Sequence, residues 1–410
     1  MRKARFTTRG RSFLSAGLTL VIGGALLGFP DISRLGGLLI VLVGATWWMA
    51  LRRDRTVEVH RSLRPSIVTA GSRCVIDMEF RNSDRRRSRY GLAEESLAYA
   101  LGEPPRFVLP GIAPGESRVV SYTVAPRIRG EHRIGPVEIS VRDPFGLTRR
   151  HITVDALDQL LVLPRIVPLG ASHPPGAGAG HEGTTPAMIA LHGEEDVSLR
   201  TYQDGDDLRK VHWPATAHRG ELMVRQLDRP ARRSCVLVLD SRGSAHAGHG
   251  EHSSFEWAVS ALASIAVRMY ELGYLVHLVS AETVAGGHHL VDLPPDATQL
   301  WFARARLGED SDFDAVLQGA HDVAGSGAVV VAAVADDLSG FEESLGSLRQ
   351  PGASALGLVL NSATFGGATV PVPAPLADFG WRVEQVDADT TIERAWSSIT
   401  RRSLIRVGAL

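Results

Sequence analysis

Ser234-Cys235-Val236-Leu237-Val238-Leu239-Asp240 reads as a strand buried on both faces: after the serine, five apolar residues run without polar alternation and end on one carboxylate. Downstream of it, strands and helices alternate. Ser253 and Glu256 have the spacing of a helix cap, Val259, Leu262, Ala266, Met269 and Leu272 keep helical spacing, and Gly273 stops the run. Tyr274 to Ser280 is the next strand. Apolar runs at Ala328–Val334 and Ala355–Leu360, with helical stretches near Asp312–His321, Phe341–Leu348 and Thr391–Ser398, extend the pattern. Residues 234–410 are expected to form an α/β doubly wound domain, a fold that places ligands beyond the C-terminal ends of its strands.

Upstream, residues 166–198 carry Pro174-Pro175, Gly-Ala repeats and scattered histidines, the composition of a loop or linker. Before them, residues 55–165 alternate with period two. In Cys74-Val75-Ile76-Asp77-Met78-Glu79-Phe80-Arg81 the even positions are apolar, and Val137, Ile139 and Val141 repeat the pattern. Pro114-Gly115, Arg129-Gly130 and Gly135-Pro136 supply turns, so an immunoglobulin-like β-sandwich is expected. No titratable cluster stands out there, and a spacer or docking role is the expectation.

Two uncharged apolar segments lie near the N-terminus, Phe13–Phe29 and Leu35–Leu51. At about 1.5 Å per residue each spans most of a hydrocarbon core of about 30 Å. The link Pro30–Arg34 allows only a tight hairpin, so residues 1–54 read as two transmembrane helices. Arg2, Lys3, Arg5, Arg9 and Arg11 precede the pair and Arg52, Arg53 and Arg55 follow it, which puts both ends and the C-terminal body in the cytoplasm of a multi-pass membrane protein. A signal peptide is the competing reading, but Leu26–Pro30 lacks a small-x-small cleavage site.

Basic and acidic residues nearly cancel, 44 against 45, which gives no field to draw nucleic acid. Lysine occurs only at Lys3 and Lys210, neither in a phosphate-cradling loop, so a P-loop ATPase is excluded. Cys74 and Cys235 sit in apolar stretches and read as buried thiols. His246, His249 and His252 suggest zinc, but their Gly- and Ala-rich setting fits a solvated loop better.

Residues 199–233 hold the longest motif: Arg200-Thr201-Tyr202-Gln203-Asp204-Gly205-Asp206-Asp207-Leu208-Arg209-Lys210-Val211-His212-Trp213, then Ala215-Thr216-Ala217 and Leu222-Met223-Val224-Arg225. Asp204-Gly205 favours a turn, and Trp213 suits either a partner surface or a clamp on the following domain. The motif resembles the signature of the bacterial family called domain of unknown function 58, with Val211 for an isoleucine and Thr216 for a serine. The paired spans and the stretch from Arg129-Gly130 to Asp143-Pro144-Phe145-Gly146-Leu147 are similar to that family as well. Arg200, Tyr202, Gly205, Asp206, Arg209, Trp213 and Arg225 are the partner-binding candidates that the motif supplies.

The resemblance implies a von Willebrand factor type A-like fold for residues 234–410, in which an Asp-x-Ser-x-Ser loop, a Thr and a later Asp hold Mg²⁺ through hard oxygen ligands. Asp240 and Ser244 match, Ser311 and Asp336 stand for the other two, and Arg242 puts a cation where a serine ligand belongs. The resemblance also implies association with a MoxR-type AAA ATPase and a transglutaminase-like membrane protein. An adaptor in assembly or maturation is the leading expectation. A metal-dependent hydrolase at the strand-end site and a scaffold acting through the β-sandwich are the alternatives.

Overall fold

The computed structural model describes residues 3–51, 57–88, 90–174, 197–202, 211–227, 233–324, 328–367 and 375–401. They divide into two units, the first Met1–Ile166 with Gln299–Ala305, the second Val167–Thr298 with Arg306–Leu410.

The first unit opens on a short strand, β1 (Lys3–Phe6), followed by two helices, α1 (Thr8–Leu27) and α2 (Pro30–Leu51). Both are longer than the spans expected from the sequence. Thr7 caps α1 by accepting from the Gly10 N–H, and Gly28, at φ 72°, ends it. The expected link at Pro30–Arg34 is helical instead: Pro30 needs no N–H partner in the first turn, and Asp31 there complements the helix dipole. Only Gly28 and Phe29 connect the two. A Cβ on Gly36 would lie 2.6 Å from the Gly17 carbonyl oxygen, so glycine at these positions sets how closely the helices approach. Each is long and apolar enough to cross a membrane.

The chain continues through β2 (Val57–Arg64), β3 (Ile67–Thr69), β4 (Cys74–Asn82), β5 (Gly91–Leu97), β6 (Arg106–Leu109), β7 (Ser117–Val124), β8 (Gly130–Arg142), β9 (Thr148–Val154) and β10 (Asp158–Leu163). β2, β4 and β7 make an antiparallel three-stranded sheet, and the others join β1 in a seven-stranded one. The period-two reading of β4 holds: Cys74, Ile76, Met78 and Phe80 are fully buried while Val75 is exposed. Their core is shared with Ala93, Ile139, Val141 and Leu160 of the larger sheet. β1 pairs with β9 across the intervening hairpin, a partnership too short and too charged to stand out in the sequence.

The second unit contains β11 (Val197–Thr201), α3 (Trp213–Arg219) and β12 (Met223–Leu227), then β13 (Ser234–Leu239), α4 (Ser254–Glu271), β14 (Leu275–Val279) and α5 (Ala281–Ala285). After α6 (Pro295–Arg304), whose residues from Gln299 onward belong to the first unit, come α7 (Asp312–Ala324), β15 (Val329–Ala335), α8 (Glu342–Gly346), β16 (Ala355–Leu360), β17 (Arg382–Val386) and α9 (Ile392–Thr400). The strands β14-β13-β15-β16-β17 form a fully parallel sheet in that order. All of Cys235–Leu239 is buried, as its unbroken apolar run requires. α7 packs against Val236 and Val238. α5, α6 and β17 are additions to the expected element list.

The strand-rich unit also holds a buried polar cluster that its sequence gave no sign of. Arg61 donates to Glu95 at 2.5 Å and to Asp158 at 2.8 Å, and both the Arg61 and Glu95 side chains are wholly buried. The Tyr122 hydroxyl also donates to Glu95. Burial raises the Glu95 pKa, opposed by Tyr122 and Arg61. The partners lie 34 and 97 positions from Arg61 in the chain, so only the fold brings them together. Glu95→Ala leaves Arg61 paired with Asp158 but removes a buried charged hydrogen bond, and we expect it to lower unfolding free energy by about 1.5–3 kcal/mol in urea titration, with Glu95→Gln losing less.

Candidate functional site

Parallel strands end on one edge of their sheet, and β13 and β15 deliver Asp240 and Asp336 to that edge. Asp240 is completely buried and both of its oxygens are engaged. Oδ1 accepts from the Arg242 backbone N–H and from Arg242 Nε, each at 3.0 Å. Oδ2 accepts from Arg242 Nη2 at 2.8 Å and from the Ala335 N–H at 3.1 Å. The guanidinium grips the carboxylate as a fork, the strongest neutralising geometry an arginine offers.

Arg242 is only 5% exposed. Its Nη2 also donates to the Asp337 carbonyl at 2.7 Å. Its charged carbon lies 4.7 Å from the Phe313 ring centre and 5.0 Å from that of Phe341. Burial works against the charge, but the Asp240 hydrogen bonds and attraction, helped by Asp337 and Asp310, outweigh it and hold the guanidinium above its ordinary pKa.

The other residues expected to bind metal are spoken for differently. The Ser244 hydroxyl donates to Asp310, not to a shared ligand, and Ser311 lies exposed in the turn before α7. Asp336 accepts from the Ser362 N–H at 3.1 Å and from the Ser362 hydroxyl. Among the described residues no three His, Cys, Asp or Glu side chains are grouped to hold a metal. A Mg²⁺ site needs several free oxygens around an octahedron, and these carboxylates have theirs occupied by internal donors. The residues do not fit the ion; Arg242 supplies the positive charge.

The motif region is partly visible. β11 and β12 pair antiparallel, with Arg200 opposite Val224 and Leu199 opposite Arg225. The Tyr202 N–H donates to the Leu222 carbonyl at 2.8 Å, and Val211 is buried and bridged to Val224. Gly205, Asp206 and Arg209 lie outside the described residues. Trp213 opens α3 and is 67% exposed. An aromatic clamp would be covered; this one faces outward.

Comparison with known proteins gives a family match over part of the chain. Residues 198–290 match the family described as Protein of unknown function DUF58. Over 228 residues the chain is 26% identical to the uncharacterized protein YeaD of Bacillus subtilis (strain 168), covering 53% of this chain and 54% of that one. The chain thus spans about half the length of that curated relative. Among solved structures, the CARDB domain of the PF1109 protein from Pyrococcus furiosus aligns at 15% identity and a TM-score of 0.19, covering 27% of this chain and 92% of that one. Bacteroides uniformis β-glucuronidase aligns at 9% identity and a TM-score of 0.18, covering 74% and 36%. Likenesses at these scores carry no argument.

Sequence reading missed Asp310, Ser362, Phe313, Phe341 and His246 as parts of this strand-end cluster. His246 Nε2 donates to the Asp240 carbonyl at 2.9 Å, which fixes the tautomer and leaves Nδ1 to accept from the Ser254 hydroxyl at 2.9 Å. The Ser254 oxygen also accepts from the Ala247 N–H, so a second proton on His246 requires the hydroxyl to turn its own proton away from Nδ1. Burial lowers the His246 pKa, against the opposing pull of Asp240. The folded chain therefore protonates His246 less readily than the unfolded chain. Its contribution is complete above about pH 6.5 and is lost as pH falls below that value toward the folded pKa. We expect denaturation midpoints to drop as pH falls below about 6.5 in the wild type, and this drop to be smaller in His246→Gln, which keeps one donor and one acceptor.

Proposed function

We propose that the protein is a membrane-anchored interaction module, whose strand-end cluster and motif dock a cytoplasmic partner. The single observation that carries this reading is the outward-facing Trp213, and the strand-end carboxylate Asp240 is separately neutralised by Arg242. Exposed aromatic side chains of this kind are typical anchors of protein interfaces. A carboxylate with both oxygens committed is a poor general base, which weighs against the hydrolase. Asp310, whose charge acts on Arg242, is exposed, as are Glu309, Asp312 and Asp314 in the same acidic segment. Such a segment complements a basic partner surface.

The membrane part of the reading rests on two observations. α1 and α2 present large apolar side chains outward, with Leu18, Ile22, Leu26, Leu38 and Val41 each at least half exposed. β1, which precedes the hairpin, pairs with β9, and Arg150 of β9 donates to the Ala50 carbonyl near the end of α2, which supports both ends of the hairpin leaving on one side. The flanking arginines assign that side to the cytoplasm. We read the strand-rich unit as immunoglobulin-like and the parallel-sheet unit as von Willebrand factor type A-like.

The partner that family resemblance suggests is a MoxR-type AAA ATPase, with a transglutaminase-like membrane protein in the same assembly. The test is binding of a purified MoxR-type ATPase to the full-length protein in mild detergent, measured by biolayer interferometry. We expect Trp213→Ala to weaken binding by about 30-fold or more, the scale of an interface hot spot, with an unchanged unfolding midpoint. Equal binding by wild type and variant, or binding by neither, would remove this proposal.

A further inference from the structure

The register of the larger sheet places arginines side by side on the face turned away from its core. Arg5 of β1 is opposite Arg149 of β9, and Arg149 is opposite Arg142 of β8. Directly opposed residues of antiparallel strands share a face, so the three form one row across three strands. The next pairs inward, Phe6 with Thr148 and Ala4 with Arg150, belong to the opposite face, the one that carries Val141 and Ile139 into the core. Arg5 and Arg142 are exposed, Arg149 is half-buried, and none of the three makes a hydrogen bond or ion pair with a described residue. Nε of Arg149 is buried without a partner. His151, with Ser140 opposite it, continues the same face.

Like charges directly opposed across strands destabilise a sheet unless something neutralises them. The row is fixed to the mouth of the apolar hairpin. Thr7, two residues after Arg5, donates its hydroxyl to the Gly146 carbonyl at 2.6 Å; Phe6 stacks on Trp47 at 4.3 Å; Arg150 donates to the Ala50 carbonyl at 3.1 Å. Arg9 and Arg11, both exposed, follow in the first turn of α1.

We infer that this row binds the headgroups of anionic phospholipids in the leaflet from which the hairpin emerges. The inference rests on the membrane-spanning reading of α1 and α2. Guanidinium forks match phosphate oxygens in pairs, and phosphates at the bilayer surface supply the counter-charge that the fold withholds from this row. A headgroup seated there also fixes the height of the strand-rich unit above the membrane.

The experiment uses full-length protein in non-ionic detergent, titrated with dioleoyl phosphatidylglycerol or dioleoyl phosphatidylcholine and read by native mass spectrometry. Phosphatidylglycerol should be retained in preference. Each arginine removed should reduce that preference roughly five-fold, and Arg5→Gln/Arg142→Gln/Arg149→Gln should abolish it. Because Arg149 is half-buried, Arg5→Gln/Arg142→Gln, which alters only exposed side chains, gives the same reading if the triple variant fails to fold. Equal retention of the two lipids by the wild type, or an undiminished preference in the exposed pair variant, overturns the lipid site. Membranes washed with alkaline carbonate separate the two levels: release of the protein would overturn the spanning reading itself, whereas retention without lipid preference overturns the headgroup site alone.

Discussion

The fork between Arg242 and Asp240 is the constraint on which the functional end of the parallel-sheet unit depends. A carboxylate at the end of a fully buried strand costs several kcal/mol of desolvation unless a positive charge meets it. Here that charge comes from two residues along the same chain, with Phe313 and Phe341 covering it and the Asp337 carbonyl accepting a further bond from Nη2. Removing either partner strands the other. The same fork joins β13 to β15 through the Ala335 N–H, so the site and the centre of the sheet are held by one set of bonds.

Much of the fold was legible because periodicity reports burial. Cys235–Leu239 lacks polar alternation because both faces of β13 are covered, and Cys74 to Phe80 alternates because one face of β4 looks outward. The two apolar helices were readable from length alone, but their starts were not, since Thr7 and Pro30 act through capping and first-turn geometry rather than hydropathy. The cluster of Arg61, Glu95, Tyr122 and Asp158 was invisible for a different reason: each is an ordinary polar residue in a strand, and only long-range pairing makes them one group.

The candidate site was half legible. Asp240, Ser244 and Asp336 lie at strand ends as their place after apolar runs suggests, and Arg242 was visible as an intruder in an oxygen-ligand pattern. What the pattern concealed was the outcome. Reading by ligand spacing treats Arg242 as damage to a metal site; the geometry makes it the cation of a site closed from within, with Asp310 and Ser362 taking the groups that a metal would have needed. His246 reads as part of a solvated loop because it stands in a Gly- and Ala-rich stretch, and its place in the cluster comes only from its bonds to the Asp240 carbonyl and to Ser254.

The two units meet different requirements. The strand-rich one builds a clamp around the hairpin, through β1, Thr7 and Arg150, and the parallel-sheet one presents a neutralised carboxylate and an exposed acidic segment. The claim that joins sequence to chemistry is our proposal that Arg242, rather than a bound metal ion, supplies the positive charge at this strand end. Thermal unfolding of the full-length protein in EDTA and in about 5 mM MgCl₂ tests it most directly, because an ion bound only by the folded state raises the midpoint in proportion to its saturation. A cation supplied by the chain predicts the same midpoint in both; a rise of several degrees with Mg²⁺ that EDTA reverses would contradict it.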